Sequence, residues 1–279
     1  LDELENKLAF MRKMYDAVRL VDPIKKVVLE SRGNSCCEMD QLCYAYWNKG
    51  KICDNCISIR AYRSNNCHFK LELSADTILM VTAIPIENDG NPIVIELLKD
   101  ASQTMMIGYG NYSDGRLMNN MVAGINDLVI KDELTGLYNR RFVNERLSSD
   151  IVKSKMEGLP LSVIFLDVDN LKEVNDAYGH IYGDRTLIEV ANALLNCIRA
   201  DTDWVARFGG DEFLICLNNT VGEIAYQIAE RIRNRIGGKA ISYQGKEIHT
   251  TVSLGIHTVF GNALTAEELI SWADSRMYE

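Results

Sequence analysis

The sequence is 279 residues long, 47% hydrophobic and 25% charged, with a net charge of −9. That length suggests two domains, each with enough apolar material for a core. The acidic balance excludes a broad electrostatic grip on nucleic acid or anionic lipid; a small phosphorylated ligand stays open, because a divalent cation reverses the local sign. No apolar run approaches a membrane span and no secretory signal is visible, so no membrane segment is expected in this stretch. Beginning at Leu1 and ending at Glu279, it reads as a fragment.

Leu1, Leu4, Leu8, Met11, Tyr15 and Val18 alternate in spacings of three and four, an a/d seam on a helix expected over residues 1–20. Two uses of the seam stand open: pairing with a second copy, or packing on its own domain. After "VDP" the pattern turns strand-like. "KKVVLE" at 25–30, "HFKLEL" at 68–73, "TILMVTAIPI" at 77–86 and "PIVIELL" at 92–98 are the expected strands, the last three separated by "SAD" and "ENDGN". Three consecutive antiparallel strands after an irregular middle segment resemble the end of a PAS sensor domain, over residues 21–102. "LLKDAS" at 97–102 resembles the handover from such a domain to a signalling helix. Residues 103–130 are then a connector: a Gly- and Tyr-rich loop, followed by a helix capped by Ser113 or Asp114 with Leu117, Met121, Ile125 and Leu128 on one face.

From Lys131 onward helices alternate with strands, the signature of a mixed α/β domain. "LSVIFLDVD" at 161–169 is nearly all apolar, as suits a strand covered on both faces. Asp167 and Asp169 close it at i and i+2, on one side of the sheet, where they repel each other unless a cation or proton intervenes. Oxygen-rich sites of this type suit Mg²⁺ or Mn²⁺. "DWVARF" and "EFLICL" flank Gly209-Gly210, a two-residue hairpin signal, and "IHTTVSLGIHTV" at 248–259 is one further strand. The glycines leave the turn free of side chains, and Asp211 and Glu212 follow at once. If this hairpin lies beside the 161–169 strand, one of the two acids faces Asp167 and the other points away.

"DELTGLYNRR" (132–141), "FLDVDNLKEVND" (165–176), "GHIYGD" (179–184), "RFGGDEF" (207–213) and "VSLGI" (252–256) occur in that order, and the set resembles the GGDEF diguanylate cyclases. The resemblance covers residues 131–279 and implies a palm-like nucleotidyl-cyclase fold that joins two GTP into cyclic di-GMP, releasing two pyrophosphates. It implies that Asp167, the Val168 carbonyl and Asp211 bind the metal. Asp211 or Glu212 would help deprotonate the attacking 3′-hydroxyl. Asn170, Leu171 and Lys172 would offer backbone amides to the β- and γ-phosphates, with the Lys172 charge beside them, and Asn175 and Asp184 would read the guanine edge. Two departures stand out. Where many members carry RxxD as an inhibitory product site, this chain has "ADTD" at 200–203: Asp203 is kept, Ala200 replaces the arginine, and Arg199 sits one place early, so product inhibition through this site is expected to be weak or absent. The resemblance also implies a phosphate-binding lysine a few residues after "ADxxxY"; that position falls outside the given sequence, which ends "ADSRMYE" at 273–279.

Six of the eight cysteines lie between Cys36 and Cys67. A GTP-consuming domain points to the cytoplasm and away from permanent disulfides. Cys37, Cys43, Cys53 and Cys56, ending in "CDNC", fit tetrahedral Zn²⁺, an iron–sulfur cluster or a reversible redox switch; reduced thiols without a ligand are the plain alternative. The expected fold is therefore α/β in the broad sense (α+β): a Cys-rich PAS-like antiparallel sheet domain, a helical connector and a GGDEF domain. One GTP per catalytic domain implies a homodimer, aligned by the helices at 1–18 and 117–128. The alternative is a noncatalytic GGDEF module that binds GTP or cyclic di-GMP; comparing GTP with ATP would separate either from another nucleotidyl cyclase of the same fold.

Overall fold

A computed structural model describes residues 10–32, 35–47, 50–74, 77–86, 92–102, 127–238, 240–243, 245–261 and 264–278, with no side-chain description at 30–40. The chain divides into two compact units, Leu1–Val129 and Ile130–Glu279. Most of the expected connector helix and the first residues of the N-terminal seam lie outside the described residues. Among the described residues no helix is long and apolar enough to cross a membrane.

The first unit is built on one antiparallel sheet. Its strands are β1 (Ala17–Asp22), β2 (Val27–Arg32), β3 (Ser35–Leu42), β4 (His68–Ser74), β5 (Thr77–Ile86) and β6 (Ile93–Asp100), in the order β3-β2-β1-β6-β5-β4. A 3₁₀ turn, Cys43–Trp47, and helix α1, Ile57–Ser64, supply Cys43, Trp47, Ile57 and Ala61 to one face, against Val21, Val81, Val94 and Leu98. The other face gathers Leu20, Ile93, Ile95 and Leu97 with Met11, Tyr15 and Val18. β6 is thus buried on both sides, which is why its sequence does not alternate.

The helix expected over residues 1–20 is corrected here. Among the described residues, helix runs over 10–14, where Tyr15 N bonds to Met11 O at 3.0 Å; Asp16 N then donates to Leu98 O at 2.9 Å and draws the chain into β1. Val18 is a strand residue. Its apolar partners at Met11 and Tyr15 fit an i+3/i+4 pattern, while Leu20 fits alternation, and burial served both.

The second unit has a five-stranded sheet in the order β13-β8-β10-β9-β7, antiparallel except for β7 against β9. In chain order it contains β7 (Tyr138–Asn139), α2 (Arg140–Glu157), β8 (Leu161–Val168), α3 (Leu171–Tyr178), α4 (His180–Leu195), β9 (Trp204–Arg207), β10 (Glu212–Asn218), α5 (Gly222–Gly237), a small hairpin β11–β12 (Ile241–Tyr243, Lys246–Ile248), β13 (Val252–Val259) and α6 (Ala266–Ser275). α4 and α5 cover the face that carries Ile164, Leu166 and Val168, with Leu187, Leu194, Ile228 and Ile232 packed into that core. The alternate residues of β8, ending in Asp167, point to the opposite face, where α6 lies along β13 and β8. Gly255 of β13 makes that contact close: a Cβ there would collide with the backbone of Ala273 and Met277.

Two strand expectations change. The 248–259 run is broken between β12 and β13, because Asp169 collects this stretch: its N–H donates to Thr251 O at 3.0 Å, and its carboxylate accepts from Thr251 Oγ1 at 2.5 Å and Ser253 Oγ at 2.8 Å. The β9–β10 connection spans residues 208–211 rather than two glycines alone, closed by Phe208 N to Glu212 O at 2.8 Å.

Candidate active site

β8 ends at Val168, and the β9–β10 loop closes beside it: Val168 N donates to Asp211 O at 3.1 Å, and Glu212 stands opposite Asp167 in register. Ser253 stands opposite Asp167 on the other side. Asp167, at the sheet edge, therefore sits among acids. Burial first, then the charges of Asp211, Glu212, Asp169 and Asp274 raise its carboxyl to about 6. Glu212, opposite Asp167 in register, is the acid on the Asp167 side, and the charge of Asp211 in the preceding loop reaches Asp167 as well. Asp169 was expected to share this face at i+2; it lies past the strand end, and its carboxylate is taken by Thr251 and Ser253.

The two glycines do different things. A Cβ on Gly209 would strike Glu212 Oε2, so that glycine leaves room for Glu212's own carboxylate; around Gly210 the space is open. Arg207 fixes the loop from behind: its guanidinium donates to Gly210 O at 3.1 and 2.7 Å and pairs with Asp132 at 3.2 Å. Asp132 also accepts from Thr135 N at 2.9 Å and Thr135 Oγ1 at 2.7 Å. "DELT" and "RFGG" are thus one structural unit.

Asn170 turns the chain from β8 into α3 with φ of 58°, a left-handed conformation that asparagine tolerates, and gives the helix no side-chain cap. The N–H groups of Leu171 and Lys172, in the first turn, have no intrahelical acceptor available, a geometry suited to anions. Lys172 is exposed and Leu171 is buried. Asn175, one turn on, lies against α4: its Oδ1 is shut off from solvent without a hydrogen-bond partner, and a Cβ on Gly183 would collide with it. Asp184, the next residue, is exposed. The structure therefore groups Asp167, Val168, Asp211 and Glu212 at the sheet edge, has Asn170, Leu171 and Lys172 follow directly from β8, and brings Asn175 onto the α4 turn that bears Asp184.

A divalent cation fits this donor set. Burial, then neighbouring negative charge, raises the Asp167 carboxyl to about 6, and the charge part is the field a cation would relieve. Among the described residues no three or more His, Cys, Asp or Glu side chains are drawn into a metal-holding group. Two carboxylates and a carbonyl would make an incomplete cage, one that Mg²⁺ would complete with substrate phosphates and water.

The product-site region differs from its sequence reading in one respect. Arg199 binds Asp203 through Nε at 2.9 Å and Nη2 at 2.7 Å, and its own N–H donates to Asp203 Oδ2 at 3.1 Å; Asn218 N donates to Oδ1 at 3.1 Å. Asp203 is buried and fully committed. The i,i+4 spacing of Arg199 and Asp203 was the available signal. Asp274 was also missed; it lies on α6, which Gly255 lets settle on the sheet.

In the first unit, burial, then Cys56, pushes the Cys53 thiol up to about 12 and the Cys43 thiol higher still. These residues form no metal-holding group among the described residues, so a Zn²⁺ or iron–sulfur centre on them is without support; the Cys37 side chain lies outside the described residues.

Residues 129–279 match the family model described as "Diguanylate cyclase, GGDEF domain". The chain is 36% identical over 155 residues to the response regulator PleD of Caulobacter vibrioides, covering 55% of this chain and 34% of that protein. It is 41% identical over 119 residues to diguanylate cyclase A of Treponema denticola, covering 43% and 32%. The chain thus spans about a third of the length of these curated relatives. Among solved structures, diguanylate cyclase SiaD of Pseudomonas aeruginosa, in complex with its activator SiaC, superposes with a TM-score of 0.53 at 32% identity, covering 58% of this chain and 62% of that one.

Proposed function

Since the chain belongs to the GGDEF diguanylate cyclase family through residues 129–279, we propose that it condenses two GTP into cyclic di-GMP, releasing two pyrophosphates. The observation that carries the reading is Asp167, raised to about 6 among Asp211, Glu212, Asp169 and Asp274, one loop away from the open N-terminus of α3.

Each residue has a role at a stated atom. The amides of Asn170, Leu171 and Lys172 and the Lys172 ammonium hold the β- and γ-phosphates, turning the α-phosphorus toward the second GTP. Asp167, the Val168 carbonyl and Asp211 would hold Mg²⁺ or Mn²⁺, which when bound would lower the pKa of the attacking hydroxyl and offset the charge of the departing pyrophosphate. Asp211 or Glu212 accepts the proton from the 3′-hydroxyl as its oxygen bonds to the α-phosphorus and the bond to pyrophosphate breaks. The unpartnered Asn175 Oδ1 suits a guanine N–H donor, and the Asp184 carboxylate a second one; adenine offers no such pair.

One GTP per domain makes the working unit a homodimer, in the cytoplasm where GTP is available. The first unit is read as a PAS-like sensor; its antiparallel sheet with helix α1 packed on one face supports that reading. The sensor would set the alignment of the two catalytic domains, and its cysteines would serve a redox signal. A noncatalytic receptor for cyclic di-GMP is disfavoured by the commitment of Asp203 to Arg199.

Incubation with GTP and Mg²⁺, and with ATP in parallel, tests the proposal: cyclic di-GMP and pyrophosphate should form from GTP only. Nucleotide binding without product would favour the receptor.

A further inference from the structure

Among the described residues of the first unit, Arg19, Lys70 and Lys26 are largely buried basic side chains, and they are not equivalent. Arg19 meets Glu96, and Lys70 meets Glu72. Lys26, only 4% exposed, instead directs Nζ at the sulfur of Cys56, 3.3 Å away and 8% exposed. The position of Lys26 is fixed at its backbone. It sits in the β1–β2 turn at φ of 65°, its N–H donating to Asp22 O at 2.9 Å and its carbonyl accepting from Cys43 N at 2.8 Å. Cys56 is fixed too, as the residue immediately before α1, where its side chain makes no capping bond. Both residues are thus fixed at the backbone, within reach of each other.

We infer that Lys26 and Cys56 form a peroxide-driven covalent cross-link between Nζ and Sγ. Hydrogen peroxide first transfers an oxygen to the Cys56 thiol, giving a sulfenic acid and one water. Lys26 gives up its ammonium proton to water, and the amine so formed attacks that sulfur with its lone pair; a further amine proton leaves with the sulfenic hydroxyl as the second water. The balance is R–NH₃⁺ + HS–R′ + H₂O₂ → R–NH–S–R′ + 2 H₂O + H⁺, with the sulfur oxidised and the peroxide reduced. A dithiol reverses it, returning amine and thiol and becoming a disulfide. Peroxide is small enough to reach a site that excludes larger oxidants. Lys26, already in contact, captures the sulfenic acid before a second thiol does, since burial keeps Cys53 and Cys43 protonated and poorly nucleophilic. The bond ties the β1–β2 turn to the start of α1, joining two parts of the unit that are otherwise held by packing. It would make the first unit responsive to peroxide independently of what the second unit catalyses.

The test treats the whole chain with hydrogen peroxide, alkylates remaining thiols, and maps tryptic peptides by mass spectrometry. The expected result is a linked species containing Lys26 and Cys56, lighter than its two peptides by two hydrogens, uncut after Lys26 and restored to free peptides by dithiothreitol. Lys26→Arg, which keeps the charge, and Cys56→Ser, which changes one atom, should each abolish it. Cys56 joined to Cys53, Cys43 or any other cysteine, Cys56 carried on to a sulfinic acid, or Cys56 unchanged overturns the inference. None of these readouts involves GTP, so they leave the cyclase proposal untouched.

Discussion

Because a Cβ on Gly209 would occupy the place of the Glu212 carboxylate, Gly209→Ala should push that carboxylate aside while leaving the fold intact. Turnover is expected to fall about 10- to 100-fold with an unchanged melting temperature; equal losses in both would point to a folding defect. Asp167 makes a prediction about pH. Its carboxyl sits near 6 in the fold against an ordinary 3.8, so the folded chain holds that proton more tightly than the unfolded one. The associated stability is fully present below about pH 4 and is lost as pH rises through about 6. Asp167→Asn should accordingly stabilise the metal-free protein by about 1 kcal/mol at pH 7, discounted for solvent screening, and by nothing near pH 4; denaturant titrations at the two pH values decide it. In the wild type, Mg²⁺ should raise the melting temperature at pH 7.5 and lose that effect near pH 5. The sequence made Asp167, Asp211 and Glu212 visible as motif members. It did not reveal that Asp169 is consumed by two hydroxyls, because those come from residues more than eighty positions away.

At the scale of elements, Arg207 and Asp132 join the opening turn of the second unit to the signature loop. Asp132→Ala removes the partner of Arg207 and the acceptor for Thr135 together, and should cost about 1–2 kcal/mol of stability. It should also lower kcat more than it raises KM, because the Gly210 carbonyl is held by the same guanidinium. A second element, the 199–203 turn, predicts a failed rescue. Ala200→Arg restores the family's spacing, yet Asp203 remains bound to Arg199, so cyclic di-GMP should still not inhibit; product titration of initial rates checks this. Pattern reading found the long elements, such as β5 and β8, because their periodicity is set by burial. It misplaced the breaks. The loop after β9 runs to Asp211 because Val168 needs the Asp211 carbonyl, and the break before β13 follows from the demands of Asp169. These are hydrogen bonds between strands, and no local pattern encodes them.

Taken whole, the chain is two units with separate cores, each of the kind that folds alone. Residues 130–279 produced by themselves should therefore be folded and bind GTP, with a rate of cyclic di-GMP formation that rises as the square of protein concentration at dilution. Linear dependence would mean that one domain suffices, against the homodimer. The division into units was legible from the shift between uninterrupted antiparallel strands and alternating helices and strands. The first strand was not, since β1 follows an amphipathic turn whose apolar spacing runs on into it.

Gly255 has a consequence beyond its own strand. With backbone of Ala273 and Met277 filling the volume where any side chain would begin, the position tolerates a single amino acid. A change there cannot be absorbed by a new rotamer; the last helix must lift, carrying Asp274 and its charge away from Asp167. The acidity of the Asp167 carboxyl would then drift through a mutation that alters no ionisable group. Random mutagenesis screened for a shifted pH optimum should recover this glycine alongside the acids themselves.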